Sequence, residues 1–103
     1  MALTRESILS ELRQRAGHFR AQGILGMALF GSFARGDATE NSDIDVLVDL
    51  DETEPSGLVL FGKLQSCQQE LQAIFGRPVD VIPGPLRPGR VATRVNAEQI
   101  RAY

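Results

Sequence analysis

The stretch that decides the fold is Leu29-Phe30-Gly31-Ser32, then ten residues from Phe33 to Ser42, then Asp43-Ile44-Asp45-Val46-Leu47-Val48. Its first part closes the apolar run Ile24 to Phe30, which is too continuous for a half-exposed strand and reads as a buried central one. Its second part alternates. Ile44, Val46, Val48 and Leu50 take one face, and Asp43, Asp45, Leu47 and Asp49 take the other, the pattern of a half-buried strand from Asp43 to Leu50. Between them, Gly31 to Ser42 is polar and turn-rich, with room for one helical turn at Ser32 to Arg35.

The pattern outside this stretch supplies helices to cover those strands. Ile8, Leu9, Leu12, Ala16 and Phe19 recur at helical spacing and predict a helix from Thr4 to about Ala21, ended by Gly23. Asp51 to Pro55 reads as a loop, with Ser56 able to cap a second long helix. That helix puts Leu60, Phe61, Leu64, Cys67, Leu71, Ile74 and Phe75 on one face and stops at Gly76. Pro78 to Ile82 predicts a third strand, Pro83-Gly84-Pro85 an irregular connection, and Arg90 to Arg101 a last helix. No repeat or low-complexity segment interrupts this order. The expected architecture is α/β, one domain over residues 1–103, with a small mixed sheet covered by helices.

Composition narrows the class further. An apolar fraction of 43% and a charged fraction of 23% are ordinary for a soluble globular chain. No apolar run approaches the roughly 20 residues a membrane span needs, and the charged start Thr4-Arg5-Glu6 predicts no leader peptide. A lone cysteine, Cys67, cannot make an internal disulfide and suits a cytoplasmic location. The net charge of −2 and the lack of a broad basic surface argue against nucleic acid as a partner. The charge is nevertheless uneven: eight of the thirteen carboxylates lie between Asp37 and Glu54. Apolar Ile44, Val46, Leu47, Val48 and Leu50 interrupt that block, so a folded element carries the acids rather than a solvated tail.

Asp43 and Asp45 sit at i and i+2 of a strand, side by side and roughly 6–7 Å apart along its axis. Like charges so held raise one another's cost of ionisation unless a cation neutralises them, and hard oxygen donors suit Mg²⁺ or Mn²⁺. An isolated Asp-x-Asp is more often a pair of solvated acids. Asp80, between Val79 and Val81-Ile82 in what reads as an interior strand, adds a third carboxylate if the two strands are neighbours. Otherwise it pairs with Arg77 or faces water at a sheet edge. Gly31-Ser32, at the end of a buried strand, has the form of a phosphate cradle, because glycine admits close backbone approach and the following turn offers N–H donors.

Gly31-Ser32, ten residues, and Asp43-Ile44-Asp45 together resemble the signature of the DNA polymerase beta-like nucleotidyltransferases. The fuller stretch Leu29 to Gly36, followed by Ser42 to Val48, is similar to the minimal nucleotidyltransferase (MNT) group, with Asp80 where the family has its third acid. The resemblance implies metal-dependent transfer of a nucleotide from ATP. Asp43 and Asp45 would bridge two Mg²⁺ ions, with Mn²⁺ an alternative. Asp80 would serve as the third ligand or as a base for the acceptor proton. Gly31 and Ser32 would hold the β- and γ-phosphates, and Arg35 would add a charge-assisted contact or remain a solvated loop residue.

So short a chain leaves little material for an acceptor site, which places the acceptor on another molecule. The resemblance names one: MNT proteins are often antitoxins of HEPN ribonuclease toxins, moving AMP from ATP onto a toxin tyrosine. A binding-only antitoxin with a vestigial site, and a small-molecule transferase of the aminoglycoside-modifying type, are the alternatives. Other polar residues read blandly. His18 is an exposed residue beside the first helix stripe, Cys67 a small core residue, and Asp49 lies about 13 Å along the strand from Asp45. Arg87, Arg90, Arg94 and Arg101 read as a solvated helix face, with an acidic partner the sharper option.

Overall fold

The computed structural model describes residues 3–50, 57–84 and 99–103, with residues 57–60 described in backbone only. The chain opens with α1 (Arg5–Gln14), whose N-cap Thr4 accepts from the Ser7 amide at 3.1 Å while Ser7 Oγ accepts from the Thr4 amide at 2.9 Å. Two amides that would otherwise lack partners are thus satisfied reciprocally. Thr4→Ala is expected to lower stability by about 1 kcal/mol, measured by urea unfolding, with no loss of the fold. A single helix to Ala21 does not form. The chain turns at Arg15, whose φ of −100° and ψ of 9° leave the helical region, and resumes as α2 (Ala16–Ala21). The apolar stripe survives that bend: Ile8, Leu9, Leu12, Ala16 and Phe19 are all buried.

Next come β1 (Ile24–Phe30), the short α3 (Ser32–Arg35), β2 (Ile44–Leu50), α4 (Gly57–Phe75), β3 (Val79–Gly84) and β4 (Ile100–Arg101). The strands form a four-stranded sheet in the order β3-β2-β1-β4. β1 pairs antiparallel with β2 and β4, whereas β2 and β3 run parallel, linked by the α4 crossover. The expected mixed sheet is therefore present, and β1 is central as its unbroken apolar run requires.

Strand alternation divides the core into two. Met27, Leu29, Val46, Val48 and Val79 pack with residues of α1, α2 and α4 in the main cluster, which also takes Cys67 and Leu71. Ala28, Phe30 and Leu47, with Ile82 against them, form a smaller cluster on the opposite face. Asp45 pairs with Phe30 across the ladder and shares this second face with Leu47.

Four expectations are corrected. Ile100 and Arg101 are not the end of a helix but a strand on β1, and Arg101 Nη2 lies 2.8 Å from Asp49 Oδ2 instead of on a solvated helix face. The remainder of the expected last helix, with Arg87, Arg90 and Arg94, lies outside the described residues, as do the loop Asp51 to Pro55 and the cap Ser56. Pro83 and Gly84 extend β3 rather than breaking it, because an edge strand tolerates a proline whose missing N–H faces away from the ladder. Phe61 stands 66% exposed, since spacing marks a helix face but not how far the sheet extends beneath it. Finally, β3 is an edge strand among the described residues, so Asp80 is exposed rather than interior.

Candidate active site

The C-terminal end of β1 runs into Gly31, whose φ of 76° and ψ of −154° lie where glycine alone sits without strain. This conformation turns the chain from β1 straight into α3. A Cβ at Gly31 would collide with the Asp45 carboxylate, so the Gly31 backbone is packed directly against that acid. α3 is fastened independently of the loop that follows. Arg35 N donates to Gly31 O, and Gly36 N and Asp37 N both donate to Ser32 O, each at 3.0 Å, while Arg5 Nη1 donates to Ala34 O at 3.1 Å. Ser32 thus opens a helical turn beside Asp45, the arrangement expected of a phosphate cradle.

Asp45 and Asp80 meet across the parallel ladder as register partners. The Asp45 carboxyl is pushed up to about 6, first by burial, then by the charge of Asp80, a hydrogen bond with the Asp80 side chain and the charge of Asp43, while Arg35 acts in the opposite sense. Asp43 sits just before the first residue of β2 and is exposed. Among the described residues, no group of three acid, histidine or cysteine side chains closes into a metal-binding set as placed. Asp45 and Asp80 touch, and Asp43 acts on Asp45 through its charge. The donor set is all carboxylate and carries more negative charge than its surroundings neutralise, which is the chemistry a hard divalent cation satisfies.

The two alternatives for Asp80 resolve differently. It does face water at an edge, but Arg77 is engaged elsewhere: its Nη1 donates to Thr39 O at 3.3 Å and to Ser42 O at 3.1 Å. Arg35 pairs with Asp37, Nε to Oδ2 at 3.1 Å, and lies near enough to bias Asp45. Asp49 is held by Arg101 well away from the acid pair. The imidazole of His18 meets Glu70 at 2.9 Å on the helical side, and Cys67 is a core thiol pushed up to about 12 by burial. Neither belongs to the site.

A mixed sheet that sets a glycine-serine turn against carboxylates at paired strand positions defines a nucleotide-transferring class of protein. The nucleotidyltransferase domain family matches residues 5–100, and the chain belongs to that family, which makes it a nucleotidyltransferase enzyme. It is 40% identical over 81 residues, 75% of this chain and 71% of the relative, to a protein adenylyltransferase named MntA from Thermococcus cleftensis. Its fold matches a toxin–antitoxin crystal structure with AMP-PNP at a TM-score of 0.65 and 21% identity, covering 98% of this chain and 73% of that one. A solved structure described as a candidate minimal nucleotidyltransferase matches at a TM-score of 0.60 and 29% identity, over 89% and 93% of the two chains. No helix among the described residues is long and apolar enough to cross a membrane.

Proposed function

We propose that the chain, acting as one minimal transferase domain, moves AMP from ATP onto a tyrosine of a HEPN-type ribonuclease toxin, and so acts as its antitoxin. The observation that carries the transfer reading is the packing of the Gly31 turn against Asp45 while Asp45 meets Asp80. A phosphate-binding turn and a carboxylate pair that touch one another belong to the same reaction centre. Likeness to the adenylyltransferase MntA supports a protein substrate, and the fold shared with a toxin–antitoxin complex agrees with a toxin partner.

In this reading Gly31 and Ser32 bind the β- and γ-phosphates, and Arg35 exchanges Asp37 for a phosphate oxygen. Asp43, Asp45 and Asp80 would hold two Mg²⁺ ions, with Mn²⁺ able to replace them. Such ions would neutralise the triphosphate and lower the pKa of the acceptor hydroxyl. The tyrosine oxygen attacks the α-phosphorus, the bond to the β-phosphate bridge breaks, and pyrophosphate leaves. Asp80, exposed at the sheet edge, stands where an incoming hydroxyl can be reached and takes part in removing its proton.

The test is incubation with labelled ATP, Mg²⁺ and the candidate toxin. Label should appear on the toxin and vanish with chelator or with Asp43→Ala/Asp45→Ala. If that double variant still silences the toxin without ATP, neutralisation is steric and the catalytic reading fails. Label on an aminoglycoside instead of the protein would assign the acceptor to small molecules.

A further inference from the structure

Of the three carboxylates, Asp43 is the one outside a strand: the sheet holds the amide that follows it but not the residues that lead into it. Asp45 and Asp80 are register partners within the ladder, while Asp43 lies before the first residue of β2 at the end of the segment from Gly36 to Ser42. The phosphate-binding turn is likewise secured by its own backbone bonds from Arg35, Gly36 and Asp37. Something else must set the course of the chain into Asp43.

Arg77 is placed to do so. Nη1 reaches the carbonyls of both Thr39 and Ser42, and the second of these belongs to the peptide that leads into Asp43. The guanidinium also lies over the Phe33 ring at 5.3 Å, so it touches α3 immediately after Ser32. The turn it holds is closed locally, since the Thr39 amide donates to Ser42 Oγ at 2.8 Å. One residue beyond Arg77, Pro78 O accepts from Ile44 N at 3.0 Å, tying the start of β3 to the start of β2. A single planar cation therefore joins the helix after the phosphate turn, the entry to Asp43 and the entry to the Asp80 strand. A cleft of about 340 Å³ bounded by Ser42, Asp43, Arg77 and Pro78 opens beside this junction.

We propose that Arg77 is a positioning residue for Asp43: its guanidinium fixes the Thr39–Ser42 turn so that Asp43 is presented to Asp45 and Asp80. The role rests on the transferase reading. One guanidinium nitrogen donates to both carbonyls while the planar group lies over an aromatic face, a combination that the compact, strongly hydrated ammonium of lysine reproduces only in part.

The experiment compares wild type, Arg77→Ala and Arg77→Lys well below their unfolding midpoints, reading both transfer kinetics and amide hydrogen exchange of segment 38–44. Arg77→Ala is expected to lower kcat by about thirtyfold, as small misplacements of reacting groups do, with KM for ATP changed less than about threefold. Exchange in segment 38–44 should quicken, millimolar guanidinium should restore part of kcat, and Arg77→Lys should fall between wild type and alanine. A kcat within about twofold of wild type, or unchanged exchange in that segment, overturns the proposal, even where the melting temperature falls. An inactive wild type would overturn the transferase reading instead, and the exchange data would still decide whether Arg77 holds the turn.

Discussion

Asp45→Asn is expected to cut nucleotide transfer by about 10³-fold, on the order of 4 kcal/mol of transition-state stabilisation, yet to raise the melting temperature of the metal-free protein at neutral pH. Both effects come from one feature, the crowding of Asp45 by burial, by Asp80 and by Asp43. The folded-state pKa stands at about 6 against an ordinary 3.8, so the folded protein holds this proton more tightly than the unfolded chain. The stabilisation this provides is complete below pH 3.8 and is lost as pH rises through 6. Above that pH, metal-free wild type bears an uncompensated carboxylate that the asparagine variant lacks. Allowing for solvent screening at this partly exposed site, the gain for Asp45→Asn is about 1 kcal/mol at pH 7–8 and fades towards pH 4.

Thermal melts of both proteins with chelator, from pH 4 to pH 8, measure this directly. Adding Mg²⁺ should raise the wild-type midpoint and leave the variant's nearly unchanged, because a cation offsets the same repulsion that the substitution removes. Apparent Mg²⁺ affinity of wild type should also weaken below about pH 6, where the proton competes with the metal. A variant less stable than chelated wild type at pH 8 would show that Asp45 is not under this strain.

Gly31→Ala is the second large effect. Its φ of 76° with ψ of −154° is a region in which residues with a Cβ cost about 1–3 kcal/mol, and the new Cβ would also strike the Asp45 carboxylate. Destabilisation of about 2 kcal/mol or more and a loss of about a hundredfold in kcat/KM are expected, since the turn and the acid must both shift. Gly36 supplies the control. Its φ is 86°, but a Cβ there meets nothing within 4 Å. Gly36→Ala should cost about 1 kcal/mol through backbone strain and change activity by less than about fivefold. Asp45→Ala removes the obstructing carboxylate, so the stability effects of Gly31→Ala and Asp45→Ala should be non-additive by about 1 kcal/mol. Urea unfolding of wild type, the three single variants and the Gly31→Ala/Asp45→Ala double variant measures this, and equal costs at Gly31 and Gly36 would show that the contact with Asp45 is not tight.

The local part of the fold was legible in the order of residues alone. The apolar run Ile24 to Phe30, the alternation through Leu50 and the glycine-serine turn identify β1, β2 and the turn between them, because each signal repeats within a few residues along the chain. The same alternation put Asp43, Asp45 and Leu47 on one face, and the structure keeps Asp45 and Leu47 there. Tertiary structure decided the rest. That Asp80 meets Asp45 depends on the parallel register of β3 on β2, which nothing between Val79 and Ile82 encodes. β4 spans two residues, too few to show any period, and it exists because β1 offers a free edge. Arg77 reads in the sequence as a partner for the nearest acid, Asp80. Packing instead turns it towards Thr39, Ser42 and Phe33, because two loop carbonyls able to accept a further hydrogen bond and an aromatic face come together there once the three elements dock.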